Sequence, residues 1–135
     1  MALASNSTYR PYSDQRRIYD ADLADLGRKG ADRLTARPGF SEHQTGLAVD
    51  IGTATGHCDL RACFATTSEG RWLARNAWRF GYVLRYPADK EQVTGIEYEP
   101  WHFRYVGKGL AREMHLEHVT TLEEFFGLSP SPSYV

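Results

Sequence analysis

The clearest pattern along the chain is an alternation of apolar and other side chains over residues 47–51. Successive side chains of an extended chain point to opposite faces, so the apolar residues share one face while Ala48 and Asp50 share the other. This alternation predicts a β-strand. A carboxylate on the second face of a buried strand is costly unless it is paired or binds a metal, which makes Asp50 a candidate ligand. The alternative is an edge strand whose Asp50 faces solvent.

Hydrophobic spacing and turn residues predict the other elements and an α+β fold class. Besides residues 47–51, the expected strands are residues 2–6, 82–86, 93–97 and 102–106. The first expected helix begins at Ser13 or Asp14 and weakens at Gly27 and Gly30. The second covers residues 67–80 and is capped by Thr67 or Ser68. The last two cover residues 109–118 and 121–126, and the latter begins with a capping box of Thr121 and Glu124. Residues 129–135 are rich in serine and proline, which predicts a tail.

Composition narrows the class of protein. A length of 135 residues fits one domain, and 41% hydrophobic residues suffice for a core. The formal net charge of −1 lacks the basic excess of a nucleic-acid-binding protein. No apolar run approaches the roughly 18 residues of a membrane-spanning helix. The first residues do not form a signal peptide, so we expect a domain of a longer protein.

Cys58 and Cys63 are separated by four residues. An even number of cysteines and a short loop permit a disulfide and an oxidising compartment, while two free thiols remain the alternative. A zinc site is the weaker interpretation, because such sites usually use a second cysteine pair.

A second candidate site lies around Pro100. Proline interrupts a central strand, and a bend there would bring Glu99 close to His102. A metal-bound water needs a carboxylate that takes its proton, and Glu99 beside a histidine ligand would supply one. His43 precedes Gly46, where the chain can turn, so His43 could face the strand that carries Asp50. For the segment around Pro100, the alternative is a structural strand on which His102 is exposed.

Together the two segments resemble a known family. Residues 41–50 read SEHQTGLAVD and residues 99–102 read EPWH. The spacings Ser-x-His-x-x-Gly-x-Ala-x-Asp and Glu-x-x-His, in this order, are similar to those of the zinc D-Ala-D-Ala carboxypeptidases of the VanY type. That family shares its fold with D-Ala-D-Ala dipeptidases and the hedgehog signalling domain. The resemblance covers residues 5–107 and implies a small central antiparallel sheet flanked by helices, within one zinc peptidase domain over residues 1–128.

The resemblance also implies roles for individual residues. His43, Asp50 and His102 would bind one zinc ion, and Glu99 would be the general base. Arg10 would polarise the scissile carbonyl. The remaining implied residues would contact the substrate: Ser41, Gln15 and Trp101. His57, His115 and His118 match nothing in the family pattern, and Glu97 is expected to be structural or to lie at the substrate edge.

The implied activity is removal of the terminal D-alanine from peptidoglycan stem peptides by a monomer outside the cytoplasm. Two related activities remain open, L,D-carboxypeptidase action on tetrapeptide stems and endopeptidase action like that of phage enzymes. A different class is a zinc-binding recognition module without catalysis. Glu99 argues against that class, because such a module has no need for a carboxylate three residues before the ligand histidine.

Overall fold

The computed structural model describes residues 1–131 and Tyr134. Four antiparallel strands form one sheet in the order β1-β2-β4-β3: β1 Leu3–Ser7, β2 Ala48–Thr53, β3 Tyr82–Leu84 and β4 His102–Tyr105. The helices around the sheet are α1 Tyr12–Leu34, α2 Ser68–Asn76, α3 Glu91–Thr94, α4 Lys108–Leu116 and α5 Leu122–Phe126. Short 3₁₀ turns occupy Glu42–Thr45, Ala62–Thr66 and Ala77–Phe80. The expected α+β fold with a central antiparallel sheet is confirmed.

The central strands β2 and β4 place apolar side chains on one face. Val49 lies opposite Phe103 in the register of the two strands. On this face the core is built from buried residues of several elements, namely Phe64, Leu73, Ala77 and Phe103. Leu47 lies outside β2 and is exposed, so the strand begins one residue later than predicted and extends further, to Thr53.

Helix α1 begins differently from the prediction. Its N-cap is Pro11, and neither Ser13 nor Asp14 caps it. The Pro11 carbonyl accepts hydrogen bonds from the backbone amides of Asp14 and Gln15. Proline fixes the extended backbone that precedes a first turn, so the helix begins directly after it without a side-chain cap.

Gly27 divides α1 into two helical segments, as its position in the sequence suggested. Its φ of 68° and ψ of 174° interrupt the helix, and glycine adopts this conformation with little steric cost. Gly30 remains helical. The two segments are tied together by Asp32, which accepts hydrogen bonds from the Tyr19 hydroxyl at 2.7 Å and from the Arg37 guanidinium.

The predicted strand over residues 93–97 is wrong. The backbone instead forms α3, which ends at Gly95 with a φ of 77°. The amides of Thr94 and Gly95 bond to the carbonyls of Lys90 and Glu91, and the Thr94 hydroxyl bonds to the Lys90 carbonyl as well. These local bonds satisfy the backbone groups that a sheet would otherwise have used.

Both predicted threonine caps are present. Thr67 accepts a hydrogen bond from the Gly70 amide, and Thr121 accepts one from the Glu124 amide. The helix predicted over residues 67–80 is α-helical only to Asn76 and continues as the 3₁₀ turn Ala77–Phe80.

The disulfide between Cys58 and Cys63 is formed. Part of the predicted tail contacts the domain, because the Ser131 amide donates to the Val93 carbonyl and the Tyr134 ring lies edge-on to Phe40. Pro132, Ser133 and Val135 lie outside the described residues. Within the described residues, none of the helices combines the length and apolar character needed to cross a bilayer.

Candidate active site

Three predicted ligand residues meet at one buried point on the sheet. Asp50 on β2 lies directly opposite His102 on β4 in the strand register. His43 reaches them from the 3₁₀ turn that precedes β2, where Gly46 adopts a φ of 73° and reverses the chain. The three residues are 3%, 5% and 4% exposed for His43, Asp50 and His102.

The distances between these side chains suit a common metal ion. His43 Nε2 lies 3.2 Å from Asp50 Oδ2, and His102 Nδ1 lies 3.1 Å from Asp50 Oδ1. One ligand atom from each residue falls within 4.8 Å of the others. Zinc bonds of about 2.0 Å to tetrahedral ligands separate neighbouring ligand atoms by about 3.3 Å. Among the described side chains, Asp50 Oδ1 is the buried polar atom without a hydrogen-bond partner, and a zinc ion would satisfy it.

The other nitrogen of each histidine has its own partner. His43 Nδ1 lies 2.6 Å from the Thr8 carbonyl oxygen. A carbonyl can only accept, so in the neutral imidazole Nδ1 carries the hydrogen and Nε2 keeps a lone pair for a metal ion. In His102 the two nitrogens exchange these roles. Nε2 lies 3.4 Å from Glu42 Oε2, and Nδ1 faces Asp50. Such partners orient metal-binding histidines and fix their tautomers.

The charges of the site favour a cation. Although burial opposes its ionisation, the adjacent His102 and His43 hold the pKa of Asp50 at about 2. Burial disfavours the imidazolium of His102, but Asp50, Glu42 and Glu99 outweigh it and raise the His102 pKa to about 9. A metal ion that binds Nδ1 must therefore displace a proton, so metal binding competes with acid.

Glu99 lies beside the ligand cluster as predicted. A turn through Pro100 lets the His102 amide donate to the Glu99 carbonyl at 3.1 Å. This turn places Glu99 Oε2 3.5 Å from His102 Nδ1. Burial raises the pKa of Glu99 to about 8. A carboxyl group with a pKa near neutrality can both take up and release a proton.

Arg10 is held at the edge of the same cluster. Its guanidinium donates to Gln15 Oε1 at 2.8 Å and to Ser7 Oγ at 3.0 Å, and Nη2 lies 3.8 Å from Asp50 Oδ2. Gln15 is 1% exposed and donates to the Ala36 carbonyl. Both ends of the Gln15 amide thus have protein partners, which favours orientation of Arg10 over direct substrate contact.

A cleft of about 330 Å³ opens over the cluster. Its wall contains the three ligand residues together with Glu99 and Arg10, and it includes all three predicted substrate contacts, Gln15, Ser41 and Trp101. Part of the wall comes from Leu34 at the end of α1 and from Thr35 and Ala36, which follow it. The substrate-binding roles of these residues remain predictions.

Sequence reasoning missed an ionic network behind His102. Glu42 Oε1 accepts a hydrogen bond from Arg85 Nε at 2.7 Å and lies 3.2 Å from Arg104 Nη1. Arg85 also makes two bonds to Glu123, at 3.0 and 2.6 Å. Although burial opposes ionisation of Glu42, His102 and Arg85 lower its pKa to about 2. The sequence offered one signal for this network, the position of Glu42 next to His43 in the motif, because the arginines are distant in sequence.

The other histidines have no part in this cluster. In the part of the chain that the structure describes, the group of residues able to hold a metal is His43, Asp50 and His102. His115 stacks on Trp78 with ring centroids 4.1 Å apart. Glu97 lies near the Arg33 guanidinium at 3.8 Å, and its expected role at the substrate edge stays a prediction.

Comparison with known proteins agrees with this geometry. Residues 1–108 match the family described as VanY, D-alanyl-D-alanine carboxypeptidase. The chain is 44% identical over 124 residues to the putative carboxypeptidase YodJ of Bacillus subtilis, covering 92% of this chain and 45% of that protein. It therefore spans about half the length of this curated relative.

Two solved structures extend the match to the fold. The LD-carboxypeptidase LdcB aligns with a TM-score of 0.85 at 43% identity, over 94% of this chain and 59% of that one. A zinc-bound mutant of the vancomycin-resistance D,D-pentapeptidase VanY aligns with a TM-score of 0.75 at 38% identity, over 92% and 71% of the two chains. The fold, the motif residues and the family match agree, and the chain belongs to the VanY family of D-alanyl-D-alanine carboxypeptidases.

Proposed function

We propose that this chain is a zinc-dependent D,D-carboxypeptidase that removes the terminal D-alanine from peptidoglycan stem peptides ending in D-Ala-D-Ala. One observation carries the proposal, namely the buried trio of His43, Asp50 and His102 with the Glu99 carboxylate 3.5 Å from a ligand nitrogen. Two histidines and one carboxylate, with a fourth position left to water or substrate, form the donor set of a catalytic zinc site.

Each residue has a defined task in this reaction. Bound zinc supplies a Lewis acid that acidifies water and polarises the scissile carbonyl. Glu99 takes the proton of the attacking water and later delivers it to the leaving amine of D-alanine. Arg10, fixed by Gln15 and Ser7, holds the negative charge that develops on the carbonyl oxygen. Ser41 and Trp101 in the wall of the cleft contact the terminal substrate residue.

A second candidate is L,D-carboxypeptidase activity on tetrapeptide stems. The fold match to a protein named an LD-carboxypeptidase, with 43% identity, supports it. Both reactions need the same zinc ligands and base, so they differ in the walls of the cleft. An endopeptidase activity and a non-catalytic zinc module are weaker alternatives, and the buried Glu99 beside His102 argues against the latter.

A peptide assay separates these candidates. The zinc-loaded protein is incubated with a muramyl pentapeptide and with a tetrapeptide, with and without chelator, and product masses are measured. Chelator-sensitive loss of one D-alanine from the pentapeptide supports the proposal. Loss from the tetrapeptide alone supports the L,D activity, and cleavage at an internal bond supports an endopeptidase. No change in any peptide while zinc stays bound contradicts the peptidase proposal.

The proposed substrate is assembled into the cell wall, so we propose that the domain acts outside the cytoplasm. We also propose that it acts as a monomer. The disulfide between Cys58 and Cys63 supports this location, because disulfides persist in oxidising compartments.

A further inference from the structure

The carboxylate of Glu42 occupies the space behind His102, on the side away from Asp50. One oxygen, Oε1, faces two arginines, with Arg85 Nε at 2.7 Å and Arg104 Nη1 at 3.2 Å. The other oxygen, Oε2, lies 3.4 Å from His102 Nε2. The two oxygens of this carboxylate therefore serve different partners.

The chemistry of these partners fixes which nitrogen of His102 keeps its hydrogen when the other binds a metal. Guanidinium groups only donate, so the atom at the Oε1 position must accept. An ionised carboxylate also only accepts, so His102 Nε2 must donate to Oε2. In the neutral imidazole, the form that binds a metal, the hydrogen then stays on Nε2, and the lone pair of Nδ1 faces the side of Asp50 Oδ1, 3.1 Å away.

The orientation of Glu42 is itself fixed from behind. Arg85 makes two hydrogen bonds to Glu123 on α5 at 3.0 and 2.6 Å, and both side chains are buried. Arg104 lies on β4 two residues after His102. The Glu42 carboxylate is thus held between a strand that carries a ligand and a helix at the far end of the chain.

We propose that Glu42 is a positioning residue, which fixes the tautomer and orientation of His102 so that Nδ1 binds the metal. The proposal rests on the zinc site of the proposed function, but it assigns the geometry of that site to a residue outside the ligand set. The two ligand histidines then bind the metal through different nitrogens. His102 uses Nδ1, whereas His43, oriented by the Thr8 carbonyl, uses Nε2.

Glu42→Gln gives a sharp test because it changes one oxygen to an NH₂ group. The arginines require the amide oxygen at Oε1, so the amide nitrogen faces His102 Nε2 and donates to it. His102 must then carry its hydrogen on Nδ1, where the metal should bind. Loss of such an outer partner typically weakens metal binding by about 10- to 100-fold.

The zinc dissociation constant is measured by competition with a chromophoric chelator for the parent chain, Glu42→Gln and Glu91→Gln. Glu91 is a matched control, because it also pairs with an arginine, Arg33, but at the surface away from the cleft. We expect about 10- to 100-fold weaker zinc binding in Glu42→Gln and none of that loss in Glu91→Gln. Parent-like affinity in Glu42→Gln overturns the proposal.

A measurement on the parent chain keeps the test valid if the variant does not fold. Long-range proton–nitrogen correlation spectra of the zinc-loaded protein report which His102 nitrogen carries the hydrogen. Hydrogen on Nε2 and metal on Nδ1 is the expected result, and the reverse overturns the proposal. Failure of the underlying zinc site has a different signature, because His43→Ala would then bind zinc as tightly as the parent chain.

Discussion

The two faces of the β2–β4 pair differ completely although they share the same backbone. On one face Val49 and Phe103 pack into the apolar core, and on the other Asp50 and His102 form the metal cluster. Burial of apolar surface stabilises the fold by roughly 25 cal/mol per Å². Buried charges add little net stability, because the cost of desolvation offsets their attraction. One face thus maintains the fold while the other carries the candidate active site, so changes on each should have separable effects.

The largest expected effect is loss of the metal. His43→Ala removes a ligand, so we expect zinc content to fall from one ion per chain to near zero and peptide hydrolysis to fall below detection. Elemental analysis after dialysis and the peptide assay measure these changes. In the presence of chelator, the free energy of unfolding should stay close to that of the parent chain. His115→Ala is the control, and full zinc occupancy in His43→Ala would remove His43 from the ligand set.

On the polar face, removal of the proposed base should lower turnover without loss of the zinc ion. Glu99→Gln keeps the shape of the side chain but cannot accept a proton, so we expect turnover to fall about 10²- to 10⁴-fold with zinc retained. Steady-state kinetics and metal analysis of the same preparation check both parts, and Glu91→Gln serves as the charge-matched control. Unchanged turnover in Glu99→Gln contradicts the assignment of the base.

On the apolar face, a substitution should lower the stability of the fold without weakening zinc binding. Phe64 is fully buried in the core that covers Val49 and Phe103. Phe64→Ala should lower the free energy of unfolding by about 3–5 kcal/mol, from lost burial and the cavity left behind. Denaturant unfolding measures this loss. The folded fraction should still bind zinc with parent affinity, and a simultaneous loss of zinc from folded protein would mean that the two faces are coupled.

The smallest expected effect lies on neither face. Asp32 is partly buried and accepts hydrogen bonds from Tyr19 and Arg37, and Arg37 first of all holds the Asp32 pKa below its ordinary value of 3.8. Asp32→Asn should lower the free energy of unfolding by about 1–2 kcal/mol at pH 7.

The sign of the pH dependence of this effect follows from the lowered pKa. The stabilisation is fully present above the unfolded-state pKa of 3.8 and is lost as the pH falls through the lower pKa of the folded state. Unfolding of metal-free protein between pH 7 and pH 2.5 should show parent and Asp32→Asn converging in acid. Asp20→Asn, at an exposed pair with Arg16, should match the parent chain throughout. A gap between parent and Asp32→Asn that persists in acid would contradict this account.

The sequence predicted the parts of the molecule that depend on neighbours along the chain. The alternation before Asp50, the threonine caps and the turn at Pro100 are local features, and each is present. The ligand set followed from two motifs whose spacing reflects a turn and a strand. The predicted strand over residues 93–97 was wrong because so short a segment, with two apolar residues, suits either a strand or a helix. The hydrogen bonds to the Lys90 and Glu91 carbonyls favoured the helix.

What the sequence did not predict depends on contacts between distant residues. Glu42 meets Arg85 across 43 positions, and Arg85 meets Glu123 across 38. Each of these residues, read alone, is typical of a solvated surface. Their burial depends on the position of α5, whose Glu123 bonds to Arg85, and no local pattern encodes that contact.

The Thr8 carbonyl that holds His43 is a main-chain atom, so the protein should tolerate coding changes at position 8 better than at position 42. Any residue at position 8 that keeps the backbone path supplies the same acceptor, so coding changes there leave His43 anchored. His102 depends on a particular side chain at position 42. Saturation mutagenesis with selection for zinc binding should therefore accept many residues at position 8 and very few at position 42.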